Sequence, residues 1–321
     1  MTDATSRSEP GIAMLGATGS GKSTFLGALQ IAFTLQARDW RLWWRDAASR
    51  EALIGMNTAL VSEGKFPLPT SGIDTFDWIL RREVERTERT GWFRTQTFTE
   101  SVEVTLKLAD PSGEITGSGQ QGGDPRERLV EHLTTSQGIL YMFDPIREHK
   151  DGDAYDKTYS LVMDMITDAA KEPGFDGKLP HHVAICVTKL DDPRVFKTAA
   201  ELDVLDWDED HPLGFPRVLD SDARVLLDKL CEISRNGNAD VVPKLFEQYF
   251  HAGRIRYYVT SSVGFMVNKR TRRLDVRDTE NVYRMASGRS LVRSPVHPVN
   301  VVEPVRWLVE RSVPSARVPL P

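Results

Sequence analysis

The chain has 321 residues, 40% of them hydrophobic and 27% charged, with a formal net charge of −5. That length supports one large domain or two small ones, and the mild acidity gives no general ground for binding nucleic acid or an anionic membrane. The two cysteines, Cys186 and Cys231, form neither a disulfide framework nor a metal-ligand spacing, which fits a reducing cytoplasm.

The opening MTDATSRSEPG is polar and lacks the apolar core of a signal peptide, so residues 1–10 read as a flexible tail. Ile12 to Leu15 predicts a buried strand. Ser23 to Leu35 carries Phe25, Leu26, Leu29 and Phe33 at helical spacing. RLWWRD, residues 41–46, reads as a strand and 47–61 as a helix. KFPLPTSG is a Pro- and Gly-punctuated loop. TFDWILRREVE and FTESVEVTLKLAD predict an antiparallel hairpin, the second through the alternation of Val102, Val104, Leu106 and Leu108. The glycine-rich PSGEITGSGQQGGDP follows, read as mobile, and Asp124-Pro125 signals a helix over 125–135. GILYMFDP predicts a buried strand, 154–171 a helix, and HVAICVTKLDDP another buried strand. Residues 194–250 read as mostly helical, IRYYVTSSVGF as a last strand, and 301–312 as a closing helix. No apolar run approaches the roughly 20 residues that span a bilayer. Strands alternating with helices predict a three-layer α/β/α fold with a mostly parallel sheet, one antiparallel strand and helical insertions.

Between the first strand and the first helix lies Gly16-Ala17-Thr18-Gly19-Ser20-Gly21-Lys22-Ser23, the P-loop pattern GxxxxGK[ST] in its required setting. Glycines let consecutive main-chain N–H groups turn inward onto a phosphate, and the helix end adds its positive dipole. Lys22 can reach the outer phosphates. The Ser23 hydroxyl, beside Thr24, can ligate Mg²⁺.

Thr188-Lys189-Leu190-Asp191 follows a core strand. A carboxylate there can accept from both the N1–H and the exocyclic amine of guanine, a donor pair adenine lacks. The Lys189 stem can lie along the base. Asp110 ends the alternating strand, where it can hold Mg²⁺ through water, and Gly113 can offer its N–H to a γ-phosphate. The Thr70 hydroxyl can complete the metal shell. Thr260-Ser261-Ser262-Val263 follows the last strand, where main-chain N–H groups can meet the guanine O6.

In the order GATGSGKS, FPLPT, DPSG, TKLD and TSSV, these residues resemble the translation-factor and Ras-like class of P-loop GTPases over roughly 11–270. KFPLPT, DPSGE, LYMFDP and NVVEPVRWL are further similar to bacterial double-GTPase-type domains, associated with conflict and signalling gene clusters. The resemblance implies GTP hydrolysis with Mg²⁺, a nucleotide-dependent switch, and a protein effector or activating partner that can supply an arginine finger. It implies one GTPase domain over 11–312, with insertions at about 36–64 and 194–250 and a basic segment at 266–299, then a tail at 313–321. The stretches from Lys22 to Asp110 and from Asp191 to Ser261 are longer than in a minimal domain of the class. Glu114 stands where many members carry a water-orienting glutamine, so hydrolysis is expected to be slow, with Gln120 and Gln121 as nearby substitutes. Two other readings stay open: an ATPase on the same loop, and a non-hydrolysing nucleotide-binding scaffold. The basic residues Lys269 to Arg293 read as a solvated loop or hairpin, with nucleic acid unlikely as a partner. Trp40, Trp43 and Trp44 and the stripe from Tyr155 to Ile166 read as core. His181 and His182 read as a solvated loop.

Overall fold

The computed structural model describes residues 11–37, 39–67, 76–89, 95–108, 125–207, 211–234, 238–286 and 288–312. In chain order the first half holds strand β1 (Gly11–Gly16), helix α1 (Lys22–Leu35), β2 (Trp40–Trp44), α2 (Ala47–Val61), β3 (Phe76–Arg89), β4 (Thr95–Leu108), α3 (Pro125–Thr135) and β5 (Gly138–Phe143). Next come α4 (Pro145–Asp151), α5 (Ala154–Ala169), β6 (His182–Val187), α6 (Pro193–Glu201), β7 (Asp206–Trp207), β8 (Pro216–Arg217) and α7 (Asp220–Glu232). The chain continues through α8 (Val241–Tyr249), β9 (Ile255–Val259), β10 (Val282–Arg284), β11 (Ser290–Val292) and α9 (Val302–Ser312).

Seven strands form one sheet in the order β2-β3-β4-β1-β5-β6-β9. The five strands from β4 to β9 run parallel, and β3 is antiparallel to both its neighbours. This is the α/β/α architecture that the strand–helix alternation predicts, with one reversed strand. The hairpin is also as predicted, with Phe76 opposite Leu108 at one end and Arg89 opposite Thr95 at the other.

The central strand shows how the layers arise. Alternate side chains of a strand point to opposite faces. Ile12 and Met14 pack with Phe25, Leu26 and Leu29 of α1 and Leu308 of α9. Ala13 and Leu15 pack on the other face with Leu133 of α3 and Met165 of α5. All four are at most 3% exposed, so a run with no polar alternation is what a strand covered on both faces requires. Gly27 lets α1 and α2 approach, since a Cβ there would stand 2.8 Å from Leu60 Cδ1.

Helix starts follow local chemistry. Asp46 caps α2, accepting from Ser49 N at 2.7 Å. Asp144 and Asp192 cap α4 and α6, each followed by proline at the first helical position, which has no N–H to satisfy. α4 is an element the sequence reading passed over, although Asp144-Pro145 carries the same signal as Asp124-Pro125.

Three side-chain expectations need correction. His181 is 2% exposed and stands edge-on to Phe250, and burial holds its imidazole below the ordinary pKa. His182 opens β6 and stands edge-on to Trp307. Neither is a solvated loop residue: His182 opens the strand one residue before its apolar run, and His181, just ahead of it, is closed over by Phe250. Trp40 is in the core, but Trp43 is 42% exposed. Tyr159 is likewise 40% exposed, while Val162 and Met165 of the same helix are buried.

Candidate functional site

The parallel strands β1, β5, β6 and β9 all end at one edge of the sheet, where doubly wound folds place their ligands. Three of the predicted loops leave from that edge: the glycine loop after β1, TKLD after β6, and TSSV after β9. β1 and β6 flank β5, so their exits lie about 10 Å apart at ordinary strand spacing.

The glycine loop is curled. Gly19 and Gly21 adopt φ of 78° and 98°, a region side-chain-bearing residues rarely enter. Gly16 is required for space: a Cβ there would stand 2.8 Å from both the Met142 carbonyl oxygen and Ser20 Oγ. Ser20 N donates to Ala17 O at 3.0 Å, closing the turn. Gly21 is the N-cap of α1 and makes no side-chain cap. Lys22, 4% exposed, folds its ammonium back into the loop, 2.7 Å from Gly16 O and 3.2 Å from Ala17 O. Thr18 and Gly19 are exposed on the loop's outer side, while Ser23 and Thr24 are half-buried in the first turn of α1. Ser20 is 1% exposed, and its hydroxyl has no hydrogen-bond partner among the described residues. A buried hydroxyl without a partner is a costly arrangement that an arriving acceptor relieves.

The other two loops are tied to each other. Leu190 N donates to Thr260 O at 3.1 Å, and Ser261 Oγ donates to Asp191 Oδ1 at 2.5 Å. Asp191 is 4% exposed, and burial pushes its carboxyl up to about 7 against the opposing pull of the Ser261 bond. Ser261 Oγ also accepts from Gly264 N at 2.9 Å, so its position is fixed from both sides. Ser262 is half-buried next to it. Thr188 is buried, its N–H on Phe143 O at 2.9 Å. Lys189 sits at φ 65°, a left-handed conformation uncommon for lysine.

Asp144 was not among the predicted site residues, and its carboxylate Oδ2 lies 2.5 Å from Lys189 Nζ. Its other oxygen accepts from Ile146 N and Arg147 N at 3.0 and 3.1 Å. The capping signal Asp-Pro was readable in the sequence; the ion pair across 45 residues was not. Asp144→Asn keeps the cap and removes the charge. Because Lys189 is 39% exposed, the pair is worth no more than about 1 kcal/mol. We therefore expect the melting temperature to fall by no more than about 4 °C, as thermal melts can read.

The basic segment forms the outer wall of this region. Its β10–β11 pair is a hairpin, one of the two forms expected of it. Thr279 Oγ1 donates to Asp191 O at 3.0 Å, and Asn281 Nδ2 to Val263 O at 3.0 Å. Arg293 is spent on Asp278, at 2.6 and 2.7 Å. Gly264, at φ 69°, passes so close to this segment that a Cβ would overlap the His297 carbonyl. Gly264→Ala is accordingly expected to lower stability by at least about 2 kcal/mol, read as a melting-temperature drop.

Thr70, Asp110, Gly113 and Glu114, with Gln120 and Gln121, lie outside the described residues. Among the described residues no cluster of three or more His, Cys, Asp or Glu can hold a metal ion. Ser23 contributes one hydroxyl at the mouth of the glycine loop, a donor set that suits a Mg²⁺ ion held mainly by phosphate and water. Among the described residues no helix is long and apolar enough to cross a membrane.

Sheet order, reversed strand and glycine loop together define a three-layer α/β domain of the P-loop type. No family model matches the sequence, and no curated protein matches it. Among solved structures, the chain is similar to the S. cerevisiae Ski7 GTPase-like domain bound to GTP, at 14% identity and a TM-score of 0.37. That match covers 94% of this chain and 50% of the Ski7 chain, so this chain spans half its length. It is also similar to an ADP-ribosylation factor-like protein, the small COPII coat GTPase SAR1 from Encephalitozoon cuniculi, in complex with GDP. There the identity is 11%, the TM-score 0.31, and the coverage 80% of this chain and 70% of that one. A third is the SRb-GTP/SRX complex of the signal recognition particle receptor from Chaetomium thermophilum. It shows 10% identity, a TM-score of 0.31, and coverage of 80% and 92%.

Proposed function

We propose that this chain binds GTP and GDP with Mg²⁺, hydrolyses GTP slowly, and acts as a nucleotide-dependent switch. The observation that carries the reading is the pair Asp191–Ser261, a buried carboxylate fixed at the same sheet edge as the glycine loop. The curled loop amides and Lys22 bind the β- and γ-phosphates. The Ser20 hydroxyl gains an acceptor when a phosphate oxygen arrives. Asp191 accepts the two guanine N–H donors while Ser261 and Gly264 hold the loop in place. Lys189, steadied by Asp144, lines the base with its aliphatic stem. Thr188 and Ser262 complete the two base-side loops.

Bound with the nucleotide, Mg²⁺ neutralises phosphate charge; Ser23, Thr70 and Asp110 are the residues that would hold it. Glu114 orients water, with Gln120 or Gln121 as substitutes, for in-line attack on the γ-phosphate. Gly113 senses that phosphate. The donor set for charge developing on the transferred group is the loop amides and Lys22, and a partner's arginine adds the rest. The output is a conformational signal to a protein partner, in a bacterial regulatory or conflict system acting in the cytoplasm.

Single-turnover release of phosphate from radiolabelled GTP tests the chemistry. The expected result is a slow, Mg²⁺-dependent rate above the buffer blank. GTP bound but intact overturns hydrolysis and leaves the scaffold reading, which the carboxylate of Glu114 favours by placing negative charge beside the γ-phosphate.

A further inference from the structure

The edge strand β2 pairs with β3 alone, and no strand among the described residues covers its outer side. Beside it opens a cleft of about 380 Å³, lined by Gln30, Phe33 and Thr34 of α1 and by all five residues of β2. An uncovered strand edge is a template for another strand, and proteins usually blunt it with proline, lysine or a bulge. WRLWW has no proline or lysine, and its one charge is the exposed Arg41.

The hydrogen-bond phase of β2 is fixed. Arg45 N donates to Asp77 O at 3.2 Å, one residue beyond the Trp44–Trp78 pair. In an antiparallel ladder alternate residues turn both main-chain groups the same way. Arg41 and Trp43 therefore face β3, while Leu42 and Trp44 turn N–H and C=O outward. Trp40 N is engaged with Ala37 O at 2.9 Å, which leaves its carbonyl on the outer side.

The side chains hold a matching pair of exposed groups, an indole whose ring leans on Trp44 at 5.6 Å and a guanidinium. Trp40 has the Arg82 guanidinium over its ring at 5.4 Å, and Trp44 has Arg50 at 5.6 Å. Trp43, 42% exposed, has no guanidinium over it among the described residues. Arg41, exposed on the same face two residues away, makes no ion pair among them.

We infer that β2 is a homodimer interface: a second copy of this chain adds its β2 antiparallel, with the twofold axis at Leu42. In that register Leu42 N–H and C=O exchange bonds with their twofold mates, and each Trp44 N–H meets the partner copy's Trp40 carbonyl. Arg41 then lies directly opposite Trp43 of the other copy, twice by symmetry, in the closer, non-hydrogen-bonded type of pair. A guanidinium over an indole face is the favourable cation–π arrangement. The contact is isologous, so it closes at two chains and extends the sheet from seven strands to fourteen.

Sedimentation equilibrium of the full chain tests this, with three variants checked for unchanged melting. Wild type is expected to show a concentration-dependent mass between one and two chains. Trp43→Arg places two arginines opposite each other and is expected to raise the dissociation constant at least about tenfold. Arg41→Trp sets two indoles opposite each other, a favourable cross-strand pair in its own right, and is expected to leave the dissociation constant within about threefold of wild type. The double variant Arg41→Trp with Trp43→Arg restores each cross-strand pair in reversed order and is expected to dimerise again. A wild type that stays a single chain at about 100 μM overturns the proposal and leaves the cleft to a different partner. So does a Trp43→Arg variant that dimerises as well as wild type, or a double variant no better than Trp43→Arg.

Discussion

Lys22→Ala is expected to weaken GTP binding by at least about 100-fold, and GDP binding less, with little change in melting temperature. The ammonium is held inside the loop by two carbonyl oxygens, at 2.7 and 3.2 Å, and is 4% exposed. A polyphosphate drawn to the loop meets a full positive charge at that atom. A hydrogen bond between charged partners is worth about 1.5–3 kcal/mol, and two of them account for the hundredfold. The third phosphate adds charge near the same atom, which makes GTP the more sensitive ligand. Lys22→Arg is not expected to rescue binding, because a planar guanidinium needs more room than the loop's two carbonyls leave. Calorimetric titration of the three proteins reads all of this. A Lys22→Ala protein that binds GTP within about threefold of wild type removes the phosphate role from this loop.

The second large effect is a change of base. Asp191→Asn replaces a double acceptor by one acceptor and one donor. Guanine presents two donors on its N1 and C2-amine side and loses one of its bonds. Xanthine presents an N1–H donor and a C2 carbonyl acceptor, which the amide matches. The variant is expected to lose at least about 100-fold in GDP affinity and to gain preference for xanthosine diphosphate, since an unmatched buried polar pair is rejected strongly. Unchanged preference for guanine overturns the assignment of Asp191.

The same carboxyl sets a pH dependence. Burial raises it to about 7, with Asp192 and Glu280 adding to the rise and the Ser261 hydroxyl opposing it. Guanine needs the ionised form. Below about pH 7 a proton competes with the base, and GDP affinity should fall roughly tenfold per unit. Stability of the empty protein runs the other way. The unfolded carboxyl titrates near its ordinary value of 3.8 and the folded one near 7, so between these the folded state binds more protons. This group's contribution is therefore most favourable below pH 4 and diminishes as pH rises to 7. Asp191→Asn should flatten both profiles, as calorimetry and thermal melts across pH can show.

Much of the fold was legible because its signals are local. β1 and β5 are uncharged, buried runs of six and β6 has five apolar residues after His182, the mark of strands covered on both faces, and α1 announces itself by glycine, lysine and a helical stripe. Pro-initiated helices follow their capping aspartates. α4 was missed only because it is seven residues long, too short for a periodic stripe. His181 and His182 were misplaced for a different reason: an imidazole is neutral when buried and gives no hydropathy signal. Trp43 was misread because β2 is an edge strand, and only pairing partners reveal an edge. In the site, the glycine loop and TKLD stand in the sequence as contiguous motifs. What holds Asp191 in place does not. Ser261 lies 70 residues away and Thr279 88 residues away, and the sheet alone brings them together. Asp144 belongs to the same class, a strand-end residue whose ion pair depends on β5 and β6 being neighbours.

The central claim is that one sheet edge holds a polyphosphate grip and a guanine-selective carboxylate. Calorimetric titration of the wild-type chain at pH 8 with Mg²⁺, using GDP, GTP and ATP in turn, tests it most directly. The account predicts that both guanine nucleotides bind, with ATP at least about 100-fold weaker, since adenine lacks the donor pair Asp191 accepts. ATP binding as tightly as GTP, or no heat from any of the three, contradicts it.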